Sequence, residues 1–256
     1  MTTILKNCTS ILILICLAVD VHCEAPIKIQ IKSAEPWAYF DVEGGTNKTK
    51  NLVGIWVEII EEMQELSGLK MEISLGPHAR TVQNLENGKT DMGFLVHSGQ
   101  KAPNLVDVSY MFTVSTVSVS LPKTKIEKYD DFYGKRIGVV RGSTNDPTFD
   151  SDKSLFKQPF RSQEIIVNML FQNRLDAIVG DNISLLYLIR KTGHGEAPYQ
   201  SFKLIDSKVW ICFSKSSPLL AHSDLIKQTN AKLKASGTYN AILNKYLNYP
   251  TSKDLH

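Results

Sequence analysis

The stretch Arg141-Gly-Ser-Thr-Asn-Asp146 follows a short apolar strand pattern, Arg136–Val140, and opens a polar, turn-rich segment. A strand that ends in Gly-Ser-Thr presents backbone N–H groups and hydroxyls to an anion. Phosphate is the first candidate, and the spacing excludes it. A phosphate loop needs a lysine after its second glycine; Ser143 stands there, the glycine spacing is short, and no G-x-G-x-x-G fingerprint occurs. A carboxylate, or no anion at all, stays open for Gly142, Ser143 and Thr144. Asp181 ends the apolar run 176–180, where it either meets a ligand amine or caps the following helix. Trp37 and Tyr39 stand just after the first strand, where they either line a crevice or enter the core. Arg80 lies near a helix start, an unfavourable place for a cation against the helix dipole; it is either drawn there by a pairing or ligand role or, the commoner outcome, simply exposed.

Catalytic and metal constellations are missing. Ser143 is not in G-x-S-x-G, and His22, His78, His97, His194, His222 and His256 show no ligand spacing. Asp91 and Asp176 each open a strand, which does not suggest an acid–base pair. No enzyme activity, metal or cofactor is expected. The net charge of +3 and the scattering of the 29 basic residues argue against nucleic acid.

These residues must be positioned by an exported α/β chain. Lys6 precedes the apolar run Ile11–Val19, too short to span a bilayer and the length of a signal h-region, so residues 1–23 are read as a cleaved signal peptide. Cys8, Cys16 and Cys23 fall within it. Cys212, the remaining cysteine, sits in an apolar strand pattern and is expected in the core. Residues 27–33 alternate as a strand. Ile55, Trp56, Ile59, Ile60, Met63 and Leu66 follow helical spacing, with Gly68 as the stop. Strand and helix then alternate, through a β-branched stretch at 112–122 and two amphipathic helices near the C-terminus, broken at Gly237. That order predicts mainly parallel sheet.

One pattern occurs twice. Val82, Leu85, Gly88 and Asp91 match Val167, Leu170, Asn173 and Asp176 as V-x-x-L-x-x-[G/N]-x-x-D, each followed by an apolar run. Each copy reads as a helix, a left-handed turn and a strand opening with a carboxylate. The two copies fall in separate halves of the chain, which favours two similar lobes.

Over about residues 26–247 the chain resembles the bacterial extracellular solute-binding proteins of family 3, the polar amino-acid-binding type. The resemblance is carried by five segments in order: residues 54–63, 84–94, 129–144, 173–181 and 233–247. It implies a two-lobed periplasmic-binding-protein fold of type II, with helices on both sheet faces and two hinge crossovers near Ser118–Pro122 and Phe202–Ser207. Lobe 1 would comprise 24–117 and 207–256, and lobe 2 would comprise 118–206. It further implies a monomer in the periplasm that closes on a small-molecule ligand, an amino acid or related carboxylate, for an ABC-type importer. A sensory module without transport and a periplasmic dehydratase-like enzyme are the alternatives on the same scaffold. By the same resemblance Ser143 and Thr144 hold the ligand's anionic group, Asp181 its cationic group, and Trp37 and Tyr39 its body. One departure matters: the family's carboxylate-binding arginine after a lobe-1 strand has no counterpart in residues 97–109. Lys101 lies near but cannot reproduce a bidentate fork, which leaves Arg80 or Arg141 to compensate.

Overall fold

The computed structural model describes residues 25–41, 51–97 and 102–247. The segment read as a signal peptide and Lys101 lie outside the described residues. Ile27, Ile29 and Ile31 are buried while Lys28 and Lys32 are exposed, so the period-two pattern folds as strand β1 (Ile27–Lys32). A short hairpin of β2 (Tyr39–Asp41) and β3 (Asn51–Val53) leads to helix α1 (Ile55–Ser67). That helix buries Ile55, Trp56, Ile59, Ile60 and Met63 and ends at left-handed Gly68, φ 72°. Strand β4 (Met71–Gly76), helix α2 (His78–Glu86) and strand β5 (Met92–His97) complete the first unit.

The second unit contains β7 (Arg136–Val140), α3 (Pro147–Ser151), β8 (Phe156–Phe160), α4 (Gln163–Phe171), β9 (Ala177–Asp181) and α5 (Asn182–Lys191). Two long strands, β6 (Leu105–Ser120) and β10 (Gln200–Ser214), join the units, and α6 (Ser223–Ala235) and α7 (Thr238–Leu247) close the described chain. No helix among the described residues is long and apolar enough to cross a membrane.

All the strands except the hairpin form one eight-stranded sheet in the order β4-β1-β5-β10-β6-β9-β7-β8. Within each unit the strands are parallel and follow the same sequence of second, first, third: β4-β1-β5 on one side, β8-β7-β9 on the other. The long strands are antiparallel to each other along their length. Strand β5 pairs with β10 from Met92↔Phe213 to His97↔Lys208, and β9 pairs with β6 from Ala177↔Ser120 to Asp181↔Thr116. Both therefore run towards the zone where Thr113–Thr116 faces Ile205–Lys208, and the carboxyl ends of all six parallel strands converge there. The register of β6 against β10 shifts on either side of that zone, between Lys203 and Ile205 and between Lys208 and Trp210. Strand β6 begins earlier than the β-branched stretch suggested. Its first half carries Asp107, Ser109 and Tyr110, because beyond β10 it has no second strand neighbour in the first unit.

The doubled pattern has one physical meaning in both copies. After α2 the chain turns at Gly88 (φ 69°), and after α4 it turns at Asn173 (φ 60°), the one positive-φ non-glycine among the described residues. Gly88 N donates to Leu85 O and Lys89 N to Asn84 O, as Asn173 N donates to Leu170 O and Arg174 N to Met169 O. Each aspartate then joins two strand starts. Asp91 N donates to Lys28 O while Lys28 N donates to Asp91 Oδ2 at 2.8 Å. Asp176 N donates to Arg136 O while Arg136 N donates to Asp176 Oδ2 at 2.8 Å. Neither carboxylate is free for acid–base chemistry; both are clamps.

Asp176 has a second hold. The Arg136 guanidinium reaches Oδ2 through Nε at 3.0 Å and Oδ1 through Nη2 at 2.9 Å. These bonds hold the Asp176 carboxyl down at about 2, outweighing its partial burial. A depressed carboxyl stabilises the fold above its unfolded pKa of about 4 and loses that contribution as pH falls towards 2. Allowing for solvent screening, Asp176→Asn is expected to cost about 1 kcal/mol at pH 7. Urea unfolding of both proteins at pH 7, 4 and 2 checks this: the difference should persist at pH 7 and shrink below pH 4.

Candidate ligand cleft

The segment after β1 is held by the start of α1. The first N–H groups of a helix have no partner within it. Here Ile55 N donates to Pro36 O at 3.0 Å and Trp56 N donates to Trp37 O at 2.8 Å. The approach is close enough to require glycine before the helix. A Cβ on Gly54 would stand 2.6 Å from Trp37 O, and its φ of 130° disfavours any side chain. Trp37 then lies on an aromatic stack, 5.0 Å from Trp56 between ring centroids and 6.4 Å from Phe112, with Phe94 4.5 Å from Trp56.

From that stack the indole reaches the second unit. Trp37 Nε1 donates to Ser184 Oγ at 2.9 Å and to Asp181 Oδ1 at 3.3 Å. Asp181 caps α5, accepting from Ser184 N at 2.8 Å, and its Oδ2 accepts from Gln163 Nε2 at 3.2 Å. Further along α5, the Tyr187 and Tyr39 hydroxyls lie 3.2 Å apart. Lys191 forms an ion pair with Glu35, and its ammonium lies 5.6 Å from the Tyr39 ring centroid. Burial acts to lower the Lys191 pKa, but the hydrogen bond and charge of Glu35 outweigh it and raise it. Ser184, Tyr187 and Lys191 follow helical spacing of three and four. That stripe was the available signal for three cleft residues that the sequence analysis did not single out. Gln163, Trp56 and Phe112 carried no comparable signal.

The 141–146 loop lies on the same edge. Thr116, paired with Asp181 in the sheet, donates through Oγ1 to Asn145 O at 3.1 Å. Gly142 takes the left-handed conformation, φ 72°. Ser143 turns inward, its N–H and its hydroxyl both donating to Val140 O. Asp146 caps α3 through Phe149 N at 2.8 Å, and Asp150 accepts from Asn145 N at 2.8 Å. Among the described residues, the N–H groups of Gly142 and Thr144 have no acceptor. Arg141 is exposed beside them.

The structure thus brings Trp37, Tyr39 and Asp181 together, with Gly142, Ser143 and Thr144 on the adjoining strand end. No contact joins Arg80 to them: that residue is exposed in the first turn of α2, shortly after the carboxyl end of β4, without a hydrogen bond or ion pair to another described residue. A separate surface groove of about 380 Å³ lies between α1 and α7, lined by Glu58, Glu61, Glu62 and Lys245 among others, and none of the cleft residues lines it. Cys212 is fully buried. No cluster of metal ligands occurs among the described residues.

The family model of the bacterial extracellular solute-binding proteins, family 3, matches residues 29–249. The chain belongs to that family. It is 25% identical over 206 residues to the probable amino-acid-binding protein YxeM of Bacillus subtilis (strain 168), covering 77% of this chain and 76% of that protein. Its fold matches the substrate binding protein of an amino acid ABC transporter with a TM-score of 0.67 at 18% identity, over 86% of this chain and 98% of the other. It also matches a histidine kinase sensor domain with similarity to periplasmic binding proteins, with a TM-score of 0.69 at 17% identity, over 87% and 96% of the two chains. The fold of this family member is therefore that of a type II periplasmic binding protein, with two lobes bridged by β6 and β10.

Gly54→Ala tests how the cleft tryptophan is held. The methyl group would push on a backbone carbonyl rather than a flexible side chain, so a loss of about 1–3 kcal/mol is expected. Urea unfolding followed by tryptophan fluorescence reads the cost. An unchanged midpoint would show that the Pro36–Trp37 segment does not need α1.

Proposed function

We propose that this chain is an exported solute-binding protein that captures a small polar solute, an amino acid or related carboxylate, by closing its two lobes. The observation that carries this reading is the set of contacts between residues 35–39 and α5. They link a loop of the first lobe to the strand-end helix of the second, at the convergence of strand carboxyl ends where ligands of α/β proteins bind. Lobe 1 is assigned to 24–117 and 207–256 and lobe 2 to 118–206. The hinge is assigned to the β6 and β10 crossovers where Thr113–Thr116 faces Ile205–Lys208, earlier on β6 than the expected Ser118–Pro122. Thr116–Ser120 pair with β9 of the second lobe, which also moves that lobe's edge on β6 earlier than 118. The ligand's anionic end is assigned to the N–H groups of Gly142 and Thr144, with Ser143 shaping the loop. Arg141 lies close enough to that loop to contribute charge. Arg80 could do so only across the cleft.

The protein is proposed to act in the periplasm as a monomer and to present its closed form to an ABC-type importer. A sensor would read the same closed shape. A binding role is favoured over catalysis because Glu35 and Asp181, the carboxylates at the contact between the units, are both engaged. Glu35 is paired with Lys191, and Asp181 accepts from Trp37, Ser184 and Gln163. Neither is poised as a general acid.

A ligand that binds only the folded form at one hundred times its Kd stabilises it by about 2.7 kcal/mol. For a chain of this size that raises Tm by roughly 5–10 °C. Thermal unfolding of the mature protein against a panel of amino acids and small carboxylates should find at least one such shift, with saturable calorimetric binding at one site. No shift across the panel, with a cooperative unfolding transition present, counts against the reading.

A further inference from the structure

Helix α5 is tied to the first lobe at a place away from the loop proposed for the ligand's anionic end. That loop, 141–146, is held at the start of the helix: Thr116 pairs with Asp181 in the sheet and donates to Asn145 O. Tyr187 and Lys191 stand further along α5, roughly 9 and 15 Å from Asp181 at a rise of about 1.5 Å per residue. There the first lobe supplies a partner for each. The Tyr39 and Tyr187 hydroxyls lie 3.2 Å apart, and Glu35 forms an ion pair with Lys191. The Lys191 ammonium lies 5.6 Å from the Tyr39 ring centroid and 5.8 Å from that of Tyr187. Tyr187 is buried, and the ring of Tyr246, on α7 of the first lobe, is 6.3 Å away.

These groups complete one another: a charge meets its countercharge, and one hydroxyl meets another. No atom of a solute is needed to finish the set. Opening the lobes would return the charges and hydroxyls to water at small cost, but would also uncover part of the Tyr187 ring. The balance favours contact without making it permanent.

We propose that Glu35, Tyr39, Tyr187 and Lys191 form a latch that closes the lobes without a solute, so that a closed form is populated before any ligand enters. Tyr39 then serves the latch rather than the ligand's body, and a solute seated near Asp181 can leave the latch made. The latch strengthens binding, because the apparent Kd is the intrinsic Kd divided by the binding-competent fraction. It also gives an importer or sensor that reads the closed form a background signal in the absence of solute. The latch rests on the lobe assignment of the solute-binding reading, but its test uses no ligand, so either can fail alone.

In the mature protein, Gln83→Cys on α2 and Lys153→Cys after α3 offer an exposed labelling position on each lobe, while Cys212 is fully buried. Double electron–electron resonance between spin labels at these positions reads the open and closed populations, after unfolding and refolding to strip any carried-over solute. The labelled parent is expected to populate the shorter distance. Lys191→Met, Glu35→Gln and Tyr39→Phe are each expected to lower its closed-to-open ratio about three-fold or more. A cooperative urea transition confirms that each variant is folded. Only the longer distance in the parent overturns the latch, since closure would then need a solute. A single shorter distance that no variant changes makes the seam a fixed joint and overturns it equally. Two populations whose ratio no variant moves overturn the role of these four residues.

Discussion

Two strands have to belong to both lobes at once. β6 and β10 are hydrogen-bonded to each other along their length, and each has a further strand neighbour in only one lobe. The chain leaves the first lobe on β6 and returns on β10, so the pair must be antiparallel. The parallel strands β5 and β9 that flank it must then run towards the junction from opposite sides. The cleft therefore follows from connectivity: strand carboxyl ends of both lobes face one another because the shared pair leaves no other arrangement. Bulges bracket the junction, which is where a continuous ladder can bend at least cost.

The same connectivity explains why each lobe needs an aspartate clamp. In a second-first-third strand order, the third strand starts beside the first after a helix and a tight turn, with little ladder between them. β1 and β5 share the pairing Ile29↔Met92, and β7 and β9 share Ile137↔Ala177 and Gly138↔Ile178. Asp91 and Asp176 add a side-chain bond at each start, so register is fixed before the ladder is long enough to fix it. This part of the fold was legible in the sequence, because a left-handed turn followed by a strand-opening carboxylate depends on neighbours in the chain. The strand at Phe156–Phe160 was harder to read. It is an edge strand carrying Pro159, and its period-two signal is weak.

The cleft was legible in a different measure. Trp37 posed a choice between crevice and core; its ring face stacks on Trp56 while its N–H edge meets Asp181. Asp181 caps its helix and also accepts from Trp37 and Gln163. What sequence alone did not supply was the stripe Ser184, Tyr187 and Lys191, whose meaning comes only from packing α5 against the other lobe. The Glu35–Lys191 pair is partly exposed, 28% and 36% for the two side chains, and such pairs contribute at most about 1 kcal/mol. For the proposed lobe closure, contacts of this size would let a ligand of modest differential affinity shift the population.

The polarity of the cleft follows from how its carboxylates are used. Asp146 and Asp150 are satisfied by N–H groups of their own loop, Asp181 by three donors and Glu35 by a lysine. Much of the acceptor capacity of these four carboxylates is spent within the chain. The groups proposed above for the ligand's anionic end are donors: the N–H groups of Gly142 and Thr144, and exposed Arg141. A count of charges alone would suit the proposed site to cations. A count of unmatched hydrogen-bonding groups favours an acceptor at the proposed anion end, because each such group left unpaired on burial costs about 1–3 kcal/mol.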